Sequence, residues 1–499
     1  MILKFKTSQI AQYWKNQQIF TIMSILSRHS YMLTVLILSL IMVACNDKTQ
    51  SDSSLVEQST TDSKAIKLLW DKGFTVEEDE ALRRVVSNWE KQSGYKIEIT
   101  FYTNDGVPQK TQRAIKTGNP PDILVGYNAQ TELDPRLAWE GQLADVSDVI
   151  EPVKNLYPKE ILEAVYFYNH KNQRRSYYAV PLHEGTIHIF YWRDLLKQAG
   201  LSESDIPSDW DGFWNFWKQV QIKLRSQQKQ YQNIYGLGFT YSTGASDTYY
   251  MFETILEAYD VKLLDNEGRL LVDDPQVRQG IIKSLEWYAK FYQDRYVPSD
   301  SITWLNPDNN RYLLNRGLVM TPNSTLSIPV TLRADLDTYK KLGILGFPNK
   351  PNGKPIRYLF IMKEAVLFAK SRNQKAAKDF LAYLIQPKVM NDYLKAGGGR
   401  HFPVLKSVWQ DPFWSNPSDP HVSSLTKILT TRQTRPYYSS LNPAYTIVLK
   451  ENVWGKALQR ILVDRVTPTQ AGDEAIKHIK EIFNQWELSG GETEKGTGD

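Results

Sequence analysis

Apolar and polar positions along the body of the chain predict alternating strands and helices. Residues 66–70 form a short apolar run typical of a buried strand, and residues 96–102 alternate as in a second strand. Between them, residues 77–94 carry apolar side chains at helical spacing, with acids in the first turn and a glycine at the end. A short helix over 109–117 and a third strand at 122–126 complete this region.

This order of elements predicts an α/β fold with a parallel sheet, because parallel strands need helical crossovers between them. Ligands of such sheets bind at the carboxyl ends of the strands. The turns after Trp70, Phe101 and Gly126 are therefore the first places to look for a binding site.

The rest of the chain continues the α/β pattern without an internal repeat. Residues 178–191 are strand-like, and helices are predicted at 208–224, 277–291, 374–385, 450–462 and 470–486. The first of these helices is rich in aromatic residues at helical spacing, which favours core packing over a binding platform; they are Trp210, Phe213, Trp214 and Trp217.

The N-terminus has the parts of an export signal. A basic stretch ends near Arg28, and an uncharged, mostly apolar run follows over 32–43, too short for a stable membrane span but suited to a signal peptide. Ala44 and Cys45 then resemble the lipobox of bacterial lipoproteins, in which the cysteine is lipid-modified; the alternative is a buried free cysteine. Translation starts at Met1 or at Met23.

Residues 46–63 are rich in Ser, Thr, Asp and Gln and nearly free of apolar side chains, which predicts a flexible tether. A lipid at Cys45 and a tether after it describe a protein held at a membrane surface. We expect no transmembrane helix after the signal peptide, because no later run reaches 18 uncharged apolar residues.

Charge and composition then exclude several functions. The chain has 60 Lys and Arg against 55 Asp and Glu, a net charge of +5. Four of these bases and no acid lie in residues 1–44, which leaves 56 bases against 55 acids, or +1, in residues 45–499. The body therefore has no electrostatic footprint for nucleic acid. One cysteine cannot form an internal disulfide, and neither a phosphate loop, an HExxH motif nor a GxSxG motif occurs, so we expect no metal, cofactor or enzymatic nucleophile.

Several segments, taken together in their order and spacing, resemble the extracellular solute-binding proteins of bacterial ABC importers, in the large family that binds sugars and oligosaccharides. The resemblance runs through nearly all of residues 64–487. The segments are IKLLW (66–70), EEDEAL with WEKQSG (77–94), GNPPDILVG (118–126), WEGQLADVSDVI (139–150), YYAVPLHEGTIHIFYWRDLLKQAGL (177–201), IPSDWDGFW (206–214), NRGLVMTPNSTLSIP (315–329), AAKDFLAYL (376–384) and GGGRHFPV (397–404).

The resemblance implies two α/β lobes, each a mostly parallel sheet flanked by helices, with the ligand cleft at the hinge. It places lobe I in 64–178 and 361–410, lobe II in 179–360 and 411–487, and a loose tail in 488–499. It also implies a monomer anchored by lipid on the periplasmic side of the bacterial cell envelope. Its partners would be a carbohydrate ligand and permease subunits with a separate ATPase, without nucleic acid.

Sugar sites pair aromatic platforms with carboxylates, amides and Arg that bond the hydroxyls. Strand ends and the resemblance together point to side chains after the first three strands: Trp70, Asp71, Asn104, Asp105, Tyr127 and Asn128. Two alternatives stay open here. Trp70 is equally suited to core packing, and Asn104 with Asp105 are also an ordinary turn signal.

The predicted hinge and the following helix supply further candidates. His183 and Glu184 lie among apolar strand residues, where a charge is costly unless it is used or paired, and a relative carries a sugar-binding carboxylate there. Tyr249 and Tyr250, preceded by Asp247, match a segment that carries a stacking aromatic in relatives. We expect one tyrosine to face the cleft and the other the core.

The remaining candidates lie in the second half of the chain. Trp304, in a polar loop, is a stacking candidate or a cap on a lobe surface. Asn323 and Ser324 stand where many relatives have a Trp, which favours a smaller glycoside over a long oligosaccharide. Arg400 follows three glycines and is suited to clamping a hydroxyl pair; the alternative is a surface Arg after a helix end.

Two other functions stay open at this point. A secreted lipoprotein glycosidase needs two carboxylates flanking one bond, and Glu184 and Asp247 are candidates. A binding protein for a phosphorylated polyol, such as a glycerol phosphate ester, needs a second base near Arg400, which the sequence does not show.

Overall fold

The computed structural model describes residues 65–227, 229–431 and 433–486. The predicted signal peptide, Cys45, the tether over 46–63 and the tail over 488–499 lie outside these residues. None of the helices in the described part combines the length and apolar character that a membrane-spanning helix needs.

The strands follow the predicted order at the start of the chain. They are β1 Ala65–Asp71, β2 Lys96–Tyr102, β3 Ile123–Val125, β4 Tyr166–Asn169, β5 Arg174–Tyr177, β6 Val180–Thr186, β7 His188–Trp192, β8 Tyr235–Leu237, β9 Leu318–Asn323, β10 Leu342–Leu345, β11 Tyr358–Leu367, β12 Phe402–Pro403 and β13 Thr434–Arg435.

The helices cover the predicted helical segments and add short ones between them. They are α1 Val76–Ser93, α2 Val107–Lys116, α3 Ala129–Glu132, α4 Asp134–Trp139, α5 Ser147–Ile150, α6 Lys159–Glu163, α7 Arg193–Gln198, α8 Trp210–Gln227, α9 Ser246–Ala258, α10 Pro275–Gln293, α11 Asp308–Leu314, α12 Ser327–Leu332, α13 Leu336–Lys341, α14 Gln374–Leu384, α15 Pro387–Ala396, α16 Pro412–Ser415, α17 Pro420–Thr431, α18 Ala444–Lys450, α19 Val453–Leu462 and α20 Pro468–Asn484. Short 3₁₀ helices lie at Asn104–Gly106, Glu151–Leu156, Glu203–Asp205, Lys229–Tyr231, Ser299–Ile302, Val408–Gln410 and Tyr438–Ser440.

Two main sheets organise these elements. The larger sheet has the strand order β12-β6-β11-β3-β1-β2, with β13 on β11, and the smaller sheet has the order β10-β7-β9-β8. We call the larger sheet with its helices the first lobe and the smaller sheet with its helices the second lobe. The chain leaves the larger sheet after β6 and returns to it at β11. The first passage between the two sheets therefore comes at Ile187.

The parallel arrangement of the first three strands is confirmed. Strand β1 pairs in parallel with β2, with Asp71 opposite Tyr102, and with β3, with Trp70 opposite Val125. The residues that follow these strands therefore emerge at one edge of the sheet. The helices between the strands are α1, which ends at Gly94, and α2.

The expectation that both sheets are mostly parallel is wrong. Strand β11 runs antiparallel to both β3 and β6, and β7 runs antiparallel to β9 and β10. The reason is topological: a chain that passes into the second lobe on one strand comes back on a strand of opposite direction. Both sheets are therefore mixed within an α/β fold.

The aromatic residues of α8 lie in the core, as their spacing predicts. Trp210, Phe213, Trp214 and Trp217 are all buried. Trp210 and Trp214 pack edge to face with their ring centroids 5.6 Å apart, and Trp214 packs in the same way on Trp287. Such clusters contribute to stability mainly by removing large apolar surfaces from water.

Two carboxyl groups share a buried position in the first lobe. Asp134 begins α4 and Glu364 lies in β11, and both are fully buried. Burial raises the pKa of Asp134 to about 8. Burial and the neighbouring Asp134 raise the pKa of Glu364 well above its ordinary value. The folded protein therefore holds protons at this pair that the unfolded chain releases near pH 4.

The substitution Asp134→Asn is expected to make the free energy of unfolding less dependent on pH. The stabilising contribution of a carboxyl with a raised folded-state pKa is fully present below its unfolded pKa and is lost as pH rises through the folded pKa. Between pH 5 and pH 8 the unchanged protein should lose at least about 1 kcal/mol more than the variant. Urea denaturation at both pH values measures this difference.

Asp148→Asn is the matched control, because the Asp148 side chain is 61% exposed. This variant should follow the pH dependence of the unchanged protein. Equal pH slopes for Asp134→Asn and the unchanged protein would contradict a shared proton at this pair.

Candidate functional site

A cleft lies where the two lobes face each other at the carboxyl ends of β1, β2 and β3. Its volume of about 460 Å³ falls within the range of small-molecule sites. The first lobe contributes Asp71, Lys72, Gly73, Phe74, Thr103, Asn104, Asp105, Tyr127, Arg400 and His401. The second lobe contributes Ser246, Asp247, Tyr250, Asn306, Pro307, Asn310, Asn323, Ser324, Thr325 and Ser327.

Many of the residues expected from the sequence meet in this cleft, although they come from distant parts of the chain. Those that line it are Asp71, Asn104, Asp105, Tyr127, Asp247, Tyr250, Asn323, Ser324 and Arg400. The parallel register brings the ends of the first three strands together, and the second lobe places α9 and the end of β9 opposite them.

A cluster of amide and carboxyl groups forms the first-lobe wall. Asn104 Nδ2 donates to Asn128 Oδ1 at 3.2 Å, and the Asn128 backbone N–H donates to Asn104 Oδ1 at 3.2 Å. Asn128 Nδ2 also donates to Asp105 Oδ1 at 3.3 Å. Asn128 is buried and does not line the cavity, so it positions Asn104 and Asp105 from behind.

The second-lobe wall is a network of amides and hydroxyls. Asn323 ends β9, and its Nδ2 donates to Asn310 Oδ1. Asn310 Nδ2 donates to Ser327 Oγ at 3.2 Å, and Asn323 Oδ1 accepts from the Thr325 backbone N–H at 3.1 Å. These bonds fix the orientation of groups that can each donate to or accept from a hydroxyl.

Hydrogen bonds also join the two walls. Asn306 Nδ2 in the second lobe donates to Asp105 Oδ1 in the first at 3.2 Å, and the Leu326 N–H donates to the Arg400 carbonyl at 3.1 Å. Gly185 makes the close approach possible, since a Cβ there would lie 2.6 Å from the Ser324 carbonyl oxygen. The lobes are therefore in contact around the cleft.

Two buried ion pairs lie beneath the first-lobe wall. The Lys363 ammonium pairs with Asp71 Oδ1, and both side chains are almost wholly buried. Arg400 donates from Nε and Nη2 to the two oxygens of Glu78 at 2.6 and 2.7 Å. Arg400 is therefore neither a surface residue nor a free clamp, because this edge of its guanidinium is occupied. The same pairing occupies an edge of the guanidinium on which the phosphorylated-polyol alternative depended.

His183 and Glu184 do not line the cleft. Both lie in β6, which is covered by β11 and β12 on its two sides, and both are buried. The His183 ring stacks on His401 with a centroid distance of 4.1 Å, and burial and then the charge of Lys363 hold its pKa well below the ordinary value. Burial raises the pKa of Glu184 to about 8. A strand pattern alone does not show that β6 lies between two other strands of the sheet.

Of the two tyrosines of α9, one lines the cleft and the other does not, as expected from the sequence. Tyr250 lines the cleft, and its hydroxyl donates to Asn128 Oδ1 at 3.4 Å. Tyr249 does not line it, and its hydroxyl donates to Glu132 Oε1 at 3.2 Å. Neighbouring positions on a helix point about 100° apart, so only one of the pair reaches the cavity.

Two tryptophans expected at the site lie in the core instead. Trp70 alternates with Asp71 along β1, so its ring points away from the cleft wall and packs edge to face on Tyr393 at 6.0 Å. Trp304 is 2% exposed and packs on Tyr312 with the ring centroids 4.7 Å apart. Its loop is polar in sequence, but the tertiary fold buries the one large apolar side chain.

Sequence reasoning missed part of the lining. The missed residues are Lys72, Gly73, Phe74, Thr103, Ser246, Asn306, Pro307, Asn310, Thr325, Ser327 and His401. Seven of these eleven lie within two positions of an expected residue, so widening each window by two positions finds them. Asn306 and Asn310 carried a further signal, because they belong to the amide-rich segment LNPDNN directly after Trp304.

The chemistry of the cleft is that of a polar binding site with some aromatic surface. Amides and hydroxyls dominate its walls, and Phe74, Tyr127 and Tyr250 supply aromatic rings. Among the residues that the structure describes, no group of three or more His, Cys, Asp or Glu side chains is placed to hold a metal ion. The arrangement fits a ligand with many hydroxyl groups and an apolar face.

Comparisons with known proteins support this picture. Residues 84–422 match the family described as bacterial extracellular solute-binding protein. The chain is 23% identical over 413 residues to the multiple sugar-binding protein of Streptococcus mutans serotype c, covering 79% of this chain and 84% of that protein. It is 20% identical over 448 residues to the galactooligosaccharide-binding protein of Bacillus subtilis strain 168, covering 89% and 94%.

Solved structures give the same result for the fold. A solute-binding protein of an ABC transporter from Thermotoga lettingae TMO, bound with α-D-tagatose, superposes with a TM-score of 0.69 at 19% identity. The superposition covers 84% of this chain and 100% of that one. Similarity of this extent over nearly the whole described part establishes the fold.

Proposed function

This chain belongs to the family of bacterial extracellular solute-binding proteins, and on that premise we propose that it is a receptor for a sugar or small glycoside, which it delivers to an ABC importer. The observation that carries the proposal is the cleft, in which amide and hydroxyl groups from two lobes face each other around about 460 Å³. Sugars offer hydroxyl rims and apolar ring faces, and the cleft offers partners for both.

The lining favours a small ligand. Among the described residues no tryptophan lines the cavity, whereas the short polar side chains of Asn323 and Ser324 do. A long oligosaccharide gains much of its affinity by stacking successive rings on aromatic side chains. A monosaccharide, disaccharide or simple glycoside depends more on the hydroxyl contacts that this cleft provides.

Several finer features belong to the same proposal. Closure of the lobes around the sugar gives two states that permease subunits can distinguish, with a separate ATPase supplying the energy. The protein acts as a monomer on the outer side of the cytoplasmic membrane or beyond it, anchored by a lipid on Cys45. Incorporation of labelled palmitate that is lost in Cys45→Ser tests the anchor.

A sugar panel tests the proposed function directly. Purified protein is titrated with glucosides, disaccharides and polyols while its intrinsic fluorescence is recorded, because 14 tryptophans make a change in lobe packing visible. We expect at least one sugar to shift the emission saturably and to raise the melting temperature, since a ligand that binds only the folded state stabilises it.

Recovery of the sugar after incubation distinguishes a receptor from a glycosidase. Unaltered sugar is expected, and release of a cleaved product would support the enzyme instead. If no sugar or polyol shifts either the emission or the melting temperature, the carbohydrate assignment is wrong.

A further inference from the structure

Two carboxyl groups face the cleft from opposite lobes without a cation between them. Asp105 Oδ1 accepts from the amides of Asn128 and Asn306 at 3.3 and 3.2 Å. Asp247 Oδ2 accepts from Asn309 Nδ2 at 3.3 Å. Asn306 links the pair, because its Oδ1 also accepts from the Asp247 backbone N–H at 3.1 Å. Within the described residues, neither carboxyl forms an ion pair with Lys, Arg or His.

The ionised forms of the carboxyl groups are disfavoured in this part of the cleft. Burial raises the pKa of Asp247 to about 7, and the charge of Asp105 adds to the rise. Burial also raises the pKa of Glu132, which lies behind Tyr249, to about 7, with Asp105 adding to it and Lys450 opposing it. Carboxyls in this situation are stabilised by a positive charge that arrives with a ligand.

Elsewhere along the first-lobe wall the charged groups are already compensated. Arg400 pairs with Glu78, and Lys363 pairs with Asp71. His401, next to Arg400 in sequence, lines the cavity, is 5% exposed, and has no hydrogen-bond partner on either ring nitrogen within the described residues. Burial, followed by the charge of Arg400, holds the His401 pKa well below its ordinary value, so the ring is neutral. A buried neutral imidazole without a partner is suited to a ligand hydroxyl.

We propose that the sugar of the proposed function carries a protonated amino group, bound between Asp105 and Asp247, with its hydroxyls directed toward His401. The inference rests on the proposed function and names its substrate class. An ammonium group has three donors, enough to serve both carboxyls at once through charge-assisted hydrogen bonds. Asp71 and Glu78 do not compete for the ammonium, because Lys363 and Arg400 already neutralise them, and this difference orients the ligand.

Calorimetric titration with matched sugars tests the inference. The probes are glucose, glucose aminated at C2, C3 or C6, and N-acetylglucosamine, together with the corresponding β-1,4-linked disaccharides. At pH 6.5 and low salt, one amino sugar should bind about ten-fold or more tightly than its neutral and N-acetylated counterparts. Its binding should also release a proton, because the ammonium lowers the pKa of Asp247; the enthalpy then varies with the ionisation enthalpy of the buffer.

Two isosteric variants and one control test whether the preference for an amino sugar depends on Asp105 and Asp247. In Asp105→Asn and Asp247→Asn the amide oxygen still accepts the existing hydrogen bonds, so the fold is kept. Each should reduce the ratio of amino-sugar affinity to neutral-sugar affinity to less than about two-fold, whatever the change in the neutral-sugar affinity itself. Asp273→Asn removes a carboxylate that is 79% exposed and outside the cleft lining, and it should leave the preference unchanged.

The possible outcomes separate the two proposals. If neutral sugars bind and no amino sugar binds more tightly, the inference is overturned while the proposed function stands. If calcium chloride alone binds saturably and both Asn variants abolish that binding, the carboxyls serve a metal ion and the inference fails. If no sugar of any kind binds, the proposed function fails and the inference fails with it.

Discussion

Replacing Lys363 by methionine is expected to lower the free energy of unfolding by about 3–5 kcal/mol. Lys363 lies in β11 and pairs with Asp71 at the end of β1, with β3 between the two strands. The side chains are 2% and 5% exposed, so removal of the ammonium leaves a largely buried carboxylate without its ion-pair partner. Burial already raises the pKa of Asp71 despite the opposing effect of Lys363. Urea denaturation at pH 7 measures the loss.

Two comparisons make this result specific. Lys378→Met breaks the pair of Lys378 with Asp148, whose side chains are 25% and 61% exposed, and should cost less than about 1 kcal/mol. The double variant Lys363→Met with Asp71→Leu should recover most of the stability, because it removes both charges together. A Lys363→Met variant within about 1 kcal/mol of the unchanged protein would show that the pair is not required.

Trp304→Ala is expected to lower the free energy of unfolding by about 3–5 kcal/mol and to leave sugar affinity unchanged at temperatures where the variant is folded. The ring is buried against Tyr312 and lies outside the cleft lining. Its removal leaves a cavity in the second lobe that the surrounding structure fills only in part. Denaturation and fluorescence titration with the best sugar of the panel measure the two effects separately.

Trp304→Phe is the matched control. Phenylalanine keeps an aromatic ring against Tyr312 and removes an indole N–H that has no hydrogen-bond partner within the described residues. Its cost should stay below about 1.5 kcal/mol. Loss of sugar affinity in Trp304→Ala without loss of stability would mean that the ring contacts the ligand after all, as its place in a polar loop indicated from the sequence.

The elements with strong local patterns were predictable. Apolar runs and alternation located β1, β2 and β3 within one or two residues, and helical spacing located α1, α8 and α10. The proximity of the side chains that follow these strands was predictable from the strands alone. Parallel neighbours end at one edge, so Asp71, Asn104 and Tyr127 were expected near each other, and all three line the cleft.

The directions of individual side chains were not predictable in the same way. His183 and Glu184 were selected because charge in an apolar strand is costly, and that cost is real. The two side chains avoid this cost because burial shifts their pKa values in the directions that favour the neutral forms. Whether β6 lies at the edge of the sheet or between two other strands depends on β11 and β12, which are distant in sequence.

Ion pairs between residues far apart in the sequence were not predictable either. Arg400 is joined to Glu78 and Lys363 to Asp71 across 322 and 292 positions of sequence, and nothing local to either residue indicates its partner. The expectation that Arg400 clamps a ligand therefore assumed a free guanidinium, and the Nε–Nη2 edge is occupied in the structure.

The sequence by itself determined the α/β class, the strand ends at which a ligand is expected, and the resemblance to a family with a cleft between two lobes. These properties depend on periodicity, turn residues and local spacing, which a single segment carries. Only the tertiary structure decided which expected residues reach the cleft, which charges are already paired, and that Asp105 and Asp247 face each other without a cation. Those properties depend on contacts between segments far apart in the chain, because burial and charge compensation are set by neighbours in space.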